Sequence, residues 1–211
     1  MSRVGARRER EGTVPRATAV PRLAKPARHA GYAPGAHRSV SRVGCLTLAR
    51  SGARPFELAV RIVVAADHAG YPLKAAVVAE LRASGHEVAD LGTNDPSKPS
   101  DYPEVAERVC EAVRAGRAER GIAVCGSGVG VGVAANKFPG IRAGVCHDHY
   151  SAHQAVEHDD LNVLCIGARV IGEALARELV RAFADARFSG EDRHVRRRAQ
   201  VVGIERRFLK E

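Results

Sequence analysis

The 211-residue sequence contains no tryptophan, a single methionine and only 4% aromatic residues, and it has no long uninterrupted run of apolar residues. Because a membrane-spanning helix needs about 20 consecutive apolar residues, the sequence predicts no such helix. The five cysteines are an odd number, and no two of them have CxxC spacing. A chain of this length can bury a core without disulfides, so we expect free thiols in a reducing compartment, the cytoplasm.

Acidic residues are scarce in one part of the chain only. Residues 1–60 contain 12 Lys and Arg but three Glu, whereas residues 61–211 contain 21 residues of each sign, so the net charge of +9 arises from the first part. A strongly basic chain usually suggests nucleic-acid binding. Here the remainder of the chain is formally neutral, which argues against a basic binding face on a folded domain.

Residues 1–58 are rich in Arg, Pro, Gly and Ala and show no sustained apolar period. Such a segment cannot bury enough surface to offset the cost of ordering, so we predict a disordered basic N-terminal extension. Three interpretations of it stay open. It is a targeting peptide without the apolar region of a secretory signal, a tail for nucleic acid or a membrane surface, or upstream sequence ahead of the true start.

From residue 59 onward, short apolar runs alternate with amphipathic stretches. The runs predict five strands, at residues 61–66, 86–91, 120–125, 142–146 and 162–166. The amphipathic stretches predict helices near 71–84, 103–115, 130–136, 149–157, 172–187 and 193–209. Alternating strands and helices form parallel βαβ units. The sequence therefore predicts one α/β domain, Rossmann-like and doubly wound, with a five-stranded parallel sheet, helices on both faces and a C-terminal helix.

Polar residues and glycines follow the first and third predicted strands. The first strand is followed by Asp67-His68-Ala69-Gly70, and residues 125–132 read Cys-Gly-Ser-Gly-Val-Gly-Val-Gly. Ligands of open parallel sheets bind at the carboxyl ends of the strands, and closely spaced glycines let backbone N–H groups approach an anion. The loop lacks the Gly-Lys-Ser/Thr and the GxGxxG register of the common nucleotide loops. It is therefore either an anion-binding loop or a tight turn that needs small residues.

Cys125 lies between the third strand and this loop. A thiol at a helix N-terminus can have its pKa lowered towards neutrality and then serve as a base or nucleophile. The alternative is a small buried thiol of the core. For Cys110, Cys146 and Cys165 we expect only the core role.

Residues 147–162 contain four histidines and four acids. His149 and His153 have the i, i+4 spacing of two metal ligands on one helical face, but no third ligand has supporting spacing, so no metal site is predicted. His158, close to Asn162, is a candidate acid or base near neutral pH. Farther on, Arg193 and Arg197 have the spacing of neighbours on one helical face and could clamp a phosphate.

Together these motifs closely resemble the ribose-5-phosphate isomerase B family, which includes galactose-6-phosphate and allose-6-phosphate isomerases. The resemblance covers residues 60 to about 208 and excludes the N-terminal extension. Its landmarks are Asp67-His68-Ala69-Gly70 with Lys74, Asp101-Tyr102-Pro103, Cys125 to Gly130, Ala134-Ala-Asn-Lys137, Gly140-Ile-Arg142, His158 to Val163, Gly167-Ala-Arg169-Val170 and Arg193-His194 with Arg197. The resemblance implies that residues 59–211 form a sugar-phosphate isomerase domain.

The resemblance implies an aldose–ketose isomerase that works through a cis-enediolate, without metal or organic cofactor. Cys125 would move the proton between C1 and C2, Ser127 would assist at the sugar oxygens, and His158 would open the furanose ring. The implied substrate-binding residues are Asp67, His68, Tyr102, Asn162, Arg193, Arg197 and, through their backbone amides at the enediolate oxygen, Gly126, Gly128, Val129 and Gly130. His68, Arg193 and Arg197 would bind the phosphate.

The family also implies a homodimer, or a tetramer built from dimers, in which a partner chain completes each site. Some members carry a Glu in place of the cysteine base, at the position that is Val131 here. Because Val131 cannot take a proton, the sequence is of the cysteine type. The role of Arg169 stays open between substrate binding and structure.

Ribose 5-phosphate and ribulose 5-phosphate are the expected substrate and product. The alternatives are the same isomerisation of allose 6-phosphate, galactose 6-phosphate or a tetrose phosphate, or a non-catalytic phosphosugar-binding protein. The presence of Cys125, Ser127 and His158 argues against the last of these. Membrane and nucleic-acid partners are not expected for the domain, although a nucleic-acid-binding role of residues 1–60 would be revealed by steep salt dependence.

Overall fold

The computed structural model describes residues 59–95 and 97–208, which form an α/β fold with alternating strands and helices. The strands are β1 (Arg61–Ala66), β2 (Glu87–Asp90), β3 (Arg120–Cys125), β4 (Ala143–Val145) and β5 (Val163–Gly167). The helices are α1 (Tyr71–Ala83), α2 (Tyr102–Arg114), α3 (Val129–Ala135), α4 (His149–Asp159), α5 (Glu173–Asp185) and α6 (Asp192–Phe208). The predicted strands and helices are confirmed, with ends that differ by one or two residues. The predicted disordered extension, residues 1–58, lies outside the described residues.

The five strands form one parallel sheet in the order β2-β1-β3-β5-β4. From β1 the chain crosses to β2 at one edge, whereas from β3 it crosses towards β4 at the other. The strand order therefore reverses between β1 and β3. In open α/β sheets the crevice at such a switch point, at the carboxyl ends of the strands, is where ligands bind.

Each face of the sheet carries a separate apolar core, which confirms the doubly wound architecture. Along β1 the side chains alternate, so that Ile62 and Val64 belong to one core and Val63 and Ala65 to the other. Helices α1, α4 and α5 cover the first face, while α2 and α3 cover the second. Burial on both faces explains why the segments of β1, β3 and β5 are almost continuously apolar, whereas the edge strand β2 is largely exposed and contains Glu87 and Asp90.

Helix α6 differs from the other five helices because it contributes almost no buried side chains to the fold. Its residues are mostly exposed, and His194 is its one buried side chain. Within the described residues, no helix combines the length and the apolar character needed to cross a membrane.

Candidate active site

The loop after β3 lies at the switch point of the sheet. Cys125, the last residue of β3, is buried, and the backbone N–H of Gly128 donates a hydrogen bond of 3.1 Å to its Sγ. Gly128 has φ +79°, and a Cβ there would lie 3.0 Å from the carbonyl carbon of Ile166 in β5. A residue with a side chain would be strained and crowded at this position, so the backbone conformation of the turn requires glycine here. The turn aims a backbone amide at the thiol.

The other described cysteines have the core role expected for them. Burial raises the pKa of Cys110 to about 12 and that of Cys146 to about 11. Burial also raises the pKa of Cys165. A buried thiol that stays protonated is a poor base. Among the four free cysteines of the described residues, Cys125 is the one that lies at a strand end beside the glycine loop.

The turn after β1 lies against the end of β3. A Cβ on Gly70 would overlap the carbonyl group of Val124, so only glycine permits this approach. The buried carboxylate of Asp67 accepts a 2.7 Å hydrogen bond from the Gly70 N–H through Oδ1 and thereby holds the turn. Asp67 and Cys125 consequently lie in adjoining turns at the carboxyl ends of neighbouring strands, as the strand-end argument predicts.

His68 is held by the loop that precedes α2. Its backbone N–H donates to Ser100 Oγ at 3.0 Å, and its Nδ1 lies 3.2 Å from the Ser100 carbonyl oxygen and 3.3 Å from the Ser100 nitrogen. With Nδ1 engaged on this side, the remaining ring nitrogen, Nε2, is the one available to a ligand.

Tyr102 and Arg169 border the glycine loop. The Tyr102 ring lies so close to Gly130 that a Cβ there would be 3.1 Å from two ring carbons. Arg169 donates its backbone N–H to the Gly126 carbonyl at 3.0 Å, and its side chain passes 3.6 Å from the Cβ position of Gly126. The exposed Ser127 accepts the N–H of Val129 at 3.3 Å through Oγ. The carboxyl ends of the strands, which we call the carboxyl edge, thus bring together ten of the predicted or discussed residues: Asp67, His68, Tyr102, Cys125, Gly126, Ser127, Gly128, Val129, Gly130 and Arg169.

The other predicted site residues lie at the amino ends of the strands, which we call the amino edge. In the register of β3 with β5, Cys125 pairs with Gly167, whereas Gly121 pairs with Val163. Four residues of strand span about 13 Å, and Asn162 and His158 precede Val163 at the far end of that distance. Arg193 and Arg197 lie in α6, which contacts the end of α4. One chain therefore does not bring the two groups of residues together.

Asn162 has a backbone-holding role in this structure. Its Oδ1 accepts the Arg142 N–H at 2.8 Å, and its Nδ2 donates to the Gly140 carbonyl at 2.9 Å. These two bonds fix the segment that leads into β4. They account for Asn162 without a sugar hydroxyl, in contrast to the role that the resemblance implies for it.

His158 lies at the end of α4 among polar neighbours. Its Nδ1 is 2.6 Å from Gln154 Nε2, and its ring stacks on the ring of His194 with centroids 4.1 Å apart. Burial, followed by the proximity of His158 and Arg193, lowers the pKa of His194. Glu157 Oε2 lies 3.8 Å from His158 Nε2.

Arg193 and Arg197 are exposed, and they share helix α6 as the i, i+4 spacing predicts. Arg193 Nε donates to Glu191 Oε2 at 2.8 Å. Arg197 lines a groove with Asn136, Arg142, Asp159, Leu161 and Val201. Among the described residues, no group of three or more His, Cys, Asp or Glu side chains is placed to hold a metal ion.

Three contacts were not found from the sequence. Ser100 precedes a helix start and gives a signal only for capping, Gln154 is an ordinary helical residue, and His194 sits inside a run of arginines that suggests a solvated face. Each of these three residues contacts a predicted site histidine, His68 or His158, only in the folded chain, and the sequence pattern does not specify such contacts.

Comparison with known proteins supports this architecture. The model of the ribose/galactose isomerase family matches residues 62–201. Ribose-5-phosphate isomerase B of Escherichia coli is 45% identical, over 70% of this chain and 97% of the relative. D-erythrulose-4-phosphate isomerase of Pectobacterium atrosepticum is 40% identical, over 61% of this chain and 85% of the relative.

Solved structures agree in fold. Ribose-5-phosphate isomerase B of Clostridium thermocellum superposes with a TM-score of 0.67 at 42% identity, over 70% of this chain and 99% of that one. The Mycoplasma genitalium ribose-5-phosphate isomerase B with bound ribulose-5-phosphate gives 0.65 at 35% identity, over 69% of this chain and 96% of that one. Fold, loop and relatives together define the class as an α/β isomerase. The protein belongs to the ribose/galactose isomerase family.

Proposed function

We propose that this protein interconverts ribose 5-phosphate and ribulose 5-phosphate, with Cys125 as the base. The observation that carries the proposal is the Cys125 thiol at the switch point, with the Gly128 amide donating to its sulfur. The similarity to the 45% identical ribose-5-phosphate isomerase B of Escherichia coli and to the 35% identical structure with bound ribulose-5-phosphate supports the choice of pentose.

In the proposed reaction the Cys125 thiolate takes the C2 proton of the open-chain aldose. The electron pair of that C–H bond forms the C1–C2 double bond of an enediolate, and negative charge develops on oxygen. The amides of Gly126, Gly128, Val129 and Gly130 surround that oxygen in the proposal, and such preorganised donors act where charge develops. The N–H groups of Gly128 and Val129, which donate to Cys125 Sγ and Ser127 Oγ in the structure, turn to the substrate oxygen once it is bound. A proton then moves from the C2 hydroxyl to the C1 oxygen, and Cys125 returns its own proton to C1 while the C2 carbonyl forms, which completes the ketose. Ser127 assists at the sugar oxygens.

Three groups at the carboxyl edge bind the rest of the substrate in this proposal. Asp67 uses one carboxylate oxygen on the Gly70 amide, which leaves the other for a sugar hydroxyl. His68 presents Nε2 to the phosphate because Ser100 engages Nδ1. The Tyr102 ring, against Gly130, forms a wall of the crevice. The exposed guanidinium of Arg169 beside Gly126 is a further phosphate ligand.

The proposed active site is completed by a second copy of the chain. His158, Arg193 and Arg197 lie at the amino edge, so in a symmetric dimer they reach the crevice of the partner subunit while the partner's copies reach this one. Exposed apolar side chains support contacts at both edges. They are Tyr102, Val129 and Val133 beside the crevice, and Val201 and Ile204 on α6.

In such a dimer His158 opens the furanose ring by moving a proton between the C1 hydroxyl and the ring oxygen. Arg193 and Arg197 hold the phosphate from the partner side. Asn162 is proposed as a structural residue only. Residues 59–211 form the isomerase domain, and the free thiols Cys110, Cys125, Cys146 and Cys165 support a reducing compartment, the cytoplasm.

A tetrose phosphate is the second candidate substrate. A relative named D-erythrulose-4-phosphate isomerase is 40% identical, and the same proton transfer serves a shorter sugar. Allose 6-phosphate and galactose 6-phosphate need a deeper crevice. The catalytic residues do not distinguish these sugars, because the shape of the crevice selects the substrate.

The test measures kcat/KM of the full-length chain for ribose 5-phosphate, erythrose 4-phosphate, allose 6-phosphate and galactose 6-phosphate. We expect ribose 5-phosphate to give the highest value. A higher value for another sugar keeps the mechanism and changes the substrate. Phosphosugar binding without turnover of any of the four would favour the non-catalytic alternative.

A further inference from the structure

The one buried residue of α6 is a histidine. His194 is only 1% exposed, while the helix around it is largely exposed. An apolar side chain would anchor the helix at lower cost, because burying an imidazole requires partners for its nitrogens. The position therefore calls for a reason beyond anchoring.

His194 is held in one orientation by Ser189. Its Nδ1 lies 2.7 Å from Ser189 Oγ. The same Oγ accepts the Glu191 N–H at 3.3 Å, and a hydroxyl in this position can pair with Nδ1 in either tautomer of the ring. The Ser189 N–H donates to the Glu157 carbonyl at 2.9 Å, so the serine is itself fixed to the end of α4.

The fixed ring of His194 lies flat against His158. The centroids are 4.1 Å apart and the ring planes differ by 26°. On its edge His158 meets Gln154 through Nδ1. The face and one edge of the His158 ring are thus both occupied, which restricts the directions in which Nε2 can point.

The charges around the two rings favour an uncharged His194. The pKa of His194 is lowered by burial and by three cationic or ionisable neighbours, which are His158 of α4 and Arg193 and Arg197 of α6, while Glu191 opposes them. Glu157 of α4 faces His158. An uncharged neighbour can stack on His158 throughout a proton-transfer cycle, whereas two cations at this distance would repel each other.

We propose that His194, held by Ser189, is a positioning residue that orients His158 for opening the furanose ring. The inference rests on the proposed function, since it assigns a support to the ring-opening residue. His194 itself touches neither the reacting carbons nor their protons. Its effect on turnover acts through His158 alone.

The test is a double-mutant cycle in the full-length chain, with ribose 5-phosphate as substrate. Ser189 is exposed, so Ser189→Ala carries the test even where His194→Phe unfolds the chain. We expect Ser189→Ala and His194→Phe each to lower kcat about tenfold, with KM changed by less than about twofold. Ser189→Thr keeps the hydroxyl group and should therefore keep kcat close to that of the unaltered chain. Gln200→Ala, on the exposed face of α6, is the matched control and should leave kcat unchanged.

The cycle separates positioning from a general structural role. In a His158→Ala background, adding Ser189→Ala should change kcat less than about twofold, because the residue to be oriented is gone. An additive loss in that background, or unchanged kcat in Ser189→Ala, would overturn the inference. So would full turnover in His158→Ala itself. Absence of ribose 5-phosphate turnover in the unaltered chain would instead remove the proposed function.

Discussion

The two edges of the sheet position their functional groups by different means. At the carboxyl edge backbone meets backbone: Gly70 lies against Val124, and Gly128 against Ile166. At the amino edge, ion pairs between long side chains hold the functional groups in place. Asp160 Oδ2 accepts from Arg142 at 2.9 Å and from Arg198 at 2.8 Å, and this ion-pair cluster joins α6 to the rest of the fold.

The difference bears on what each edge can do. Backbone contacts in a strand-supported crevice give little freedom, which suits a base and its amide donors, because misplaced donors lose most of their effect. Ion pairs between partly exposed side chains are individually weak. A helix attached in this way suits groups that recognise a charged end of a substrate. The predictions below test this division between the carboxyl edge, called the reacting edge because it carries the isomerising base, and helix α6 at the amino edge, called the recognising edge because it carries Arg193 and Arg197.

The largest effect is expected at the carboxyl edge. Cys125→Ala should lower kcat for ribose 5-phosphate by at least about a thousandfold, because no other described thiol lies at the glycine loop. The fold and KM should change little. Cys146→Ala removes a buried thiol away from the loop and should keep nearly full turnover. Normal turnover in Cys125→Ala would show that the base is another group.

Mixing two variants that each retain only a low residual turnover tests whether the edges serve each other across a dimer. A Cys125→Ala chain has an intact amino edge, and a His158→Ala chain has an intact carboxyl edge. If sites are shared between subunits, refolding an equal mixture creates one unaltered site in each mixed dimer. Turnover should then rise from near zero to about a quarter of the normal value, given random pairing. Activity no higher than the average of the separate variants would mean that each chain forms its own site.

A smaller effect is expected at the recognising edge. Arg197→Ala should raise KM for ribose 5-phosphate about tenfold with kcat within about threefold, since a phosphate far from the reacting carbons is bound alike in ground and transition states. Gln200→Ala on the same helix is the control. An unchanged KM would mean that Arg197 does not bind the phosphate, and His68, Arg169 and Arg193 would be its remaining proposed ligands.

The carboxyl edge was predictable from the sequence because each of its residues follows a buried strand. The apolar run that ends at Cys125 and the one that ends before Asp67 locate the crevice once the strands are taken as parallel. The same rule places Asn162 at the other edge, because it precedes β5. The resemblance gave it a ligand role, whereas the structure engages both of its polar atoms with backbone.

The amino edge was less predictable because its arrangement depends on tertiary contacts between side chains. The pattern Arg193-His194-Val195-Arg196-Arg197-Arg198 is typical of a solvated helix. Nothing in its spacing indicates that one member is buried against His158. Such a contact arises from the crossing of α6 over the end of α4, and a single sequence carries no period that encodes it.

The smallest effect concerns stability rather than turnover. The pKa of His194 is lowered below its ordinary value of 6.5, chiefly by burial. Below about pH 6.5 the unfolded chain therefore binds a proton that the folded chain does not, so this residue reduces stability as the pH falls through that range. His194→Phe keeps a flat ring at the position and removes the titration. The melting temperature of the unaltered chain should thus fall more between about pH 7.5 and pH 5.5 than that of His194→Phe. Equal falls would indicate that the imidazole is solvated, and the amino edge would then be as open to water around His194 as around Arg197.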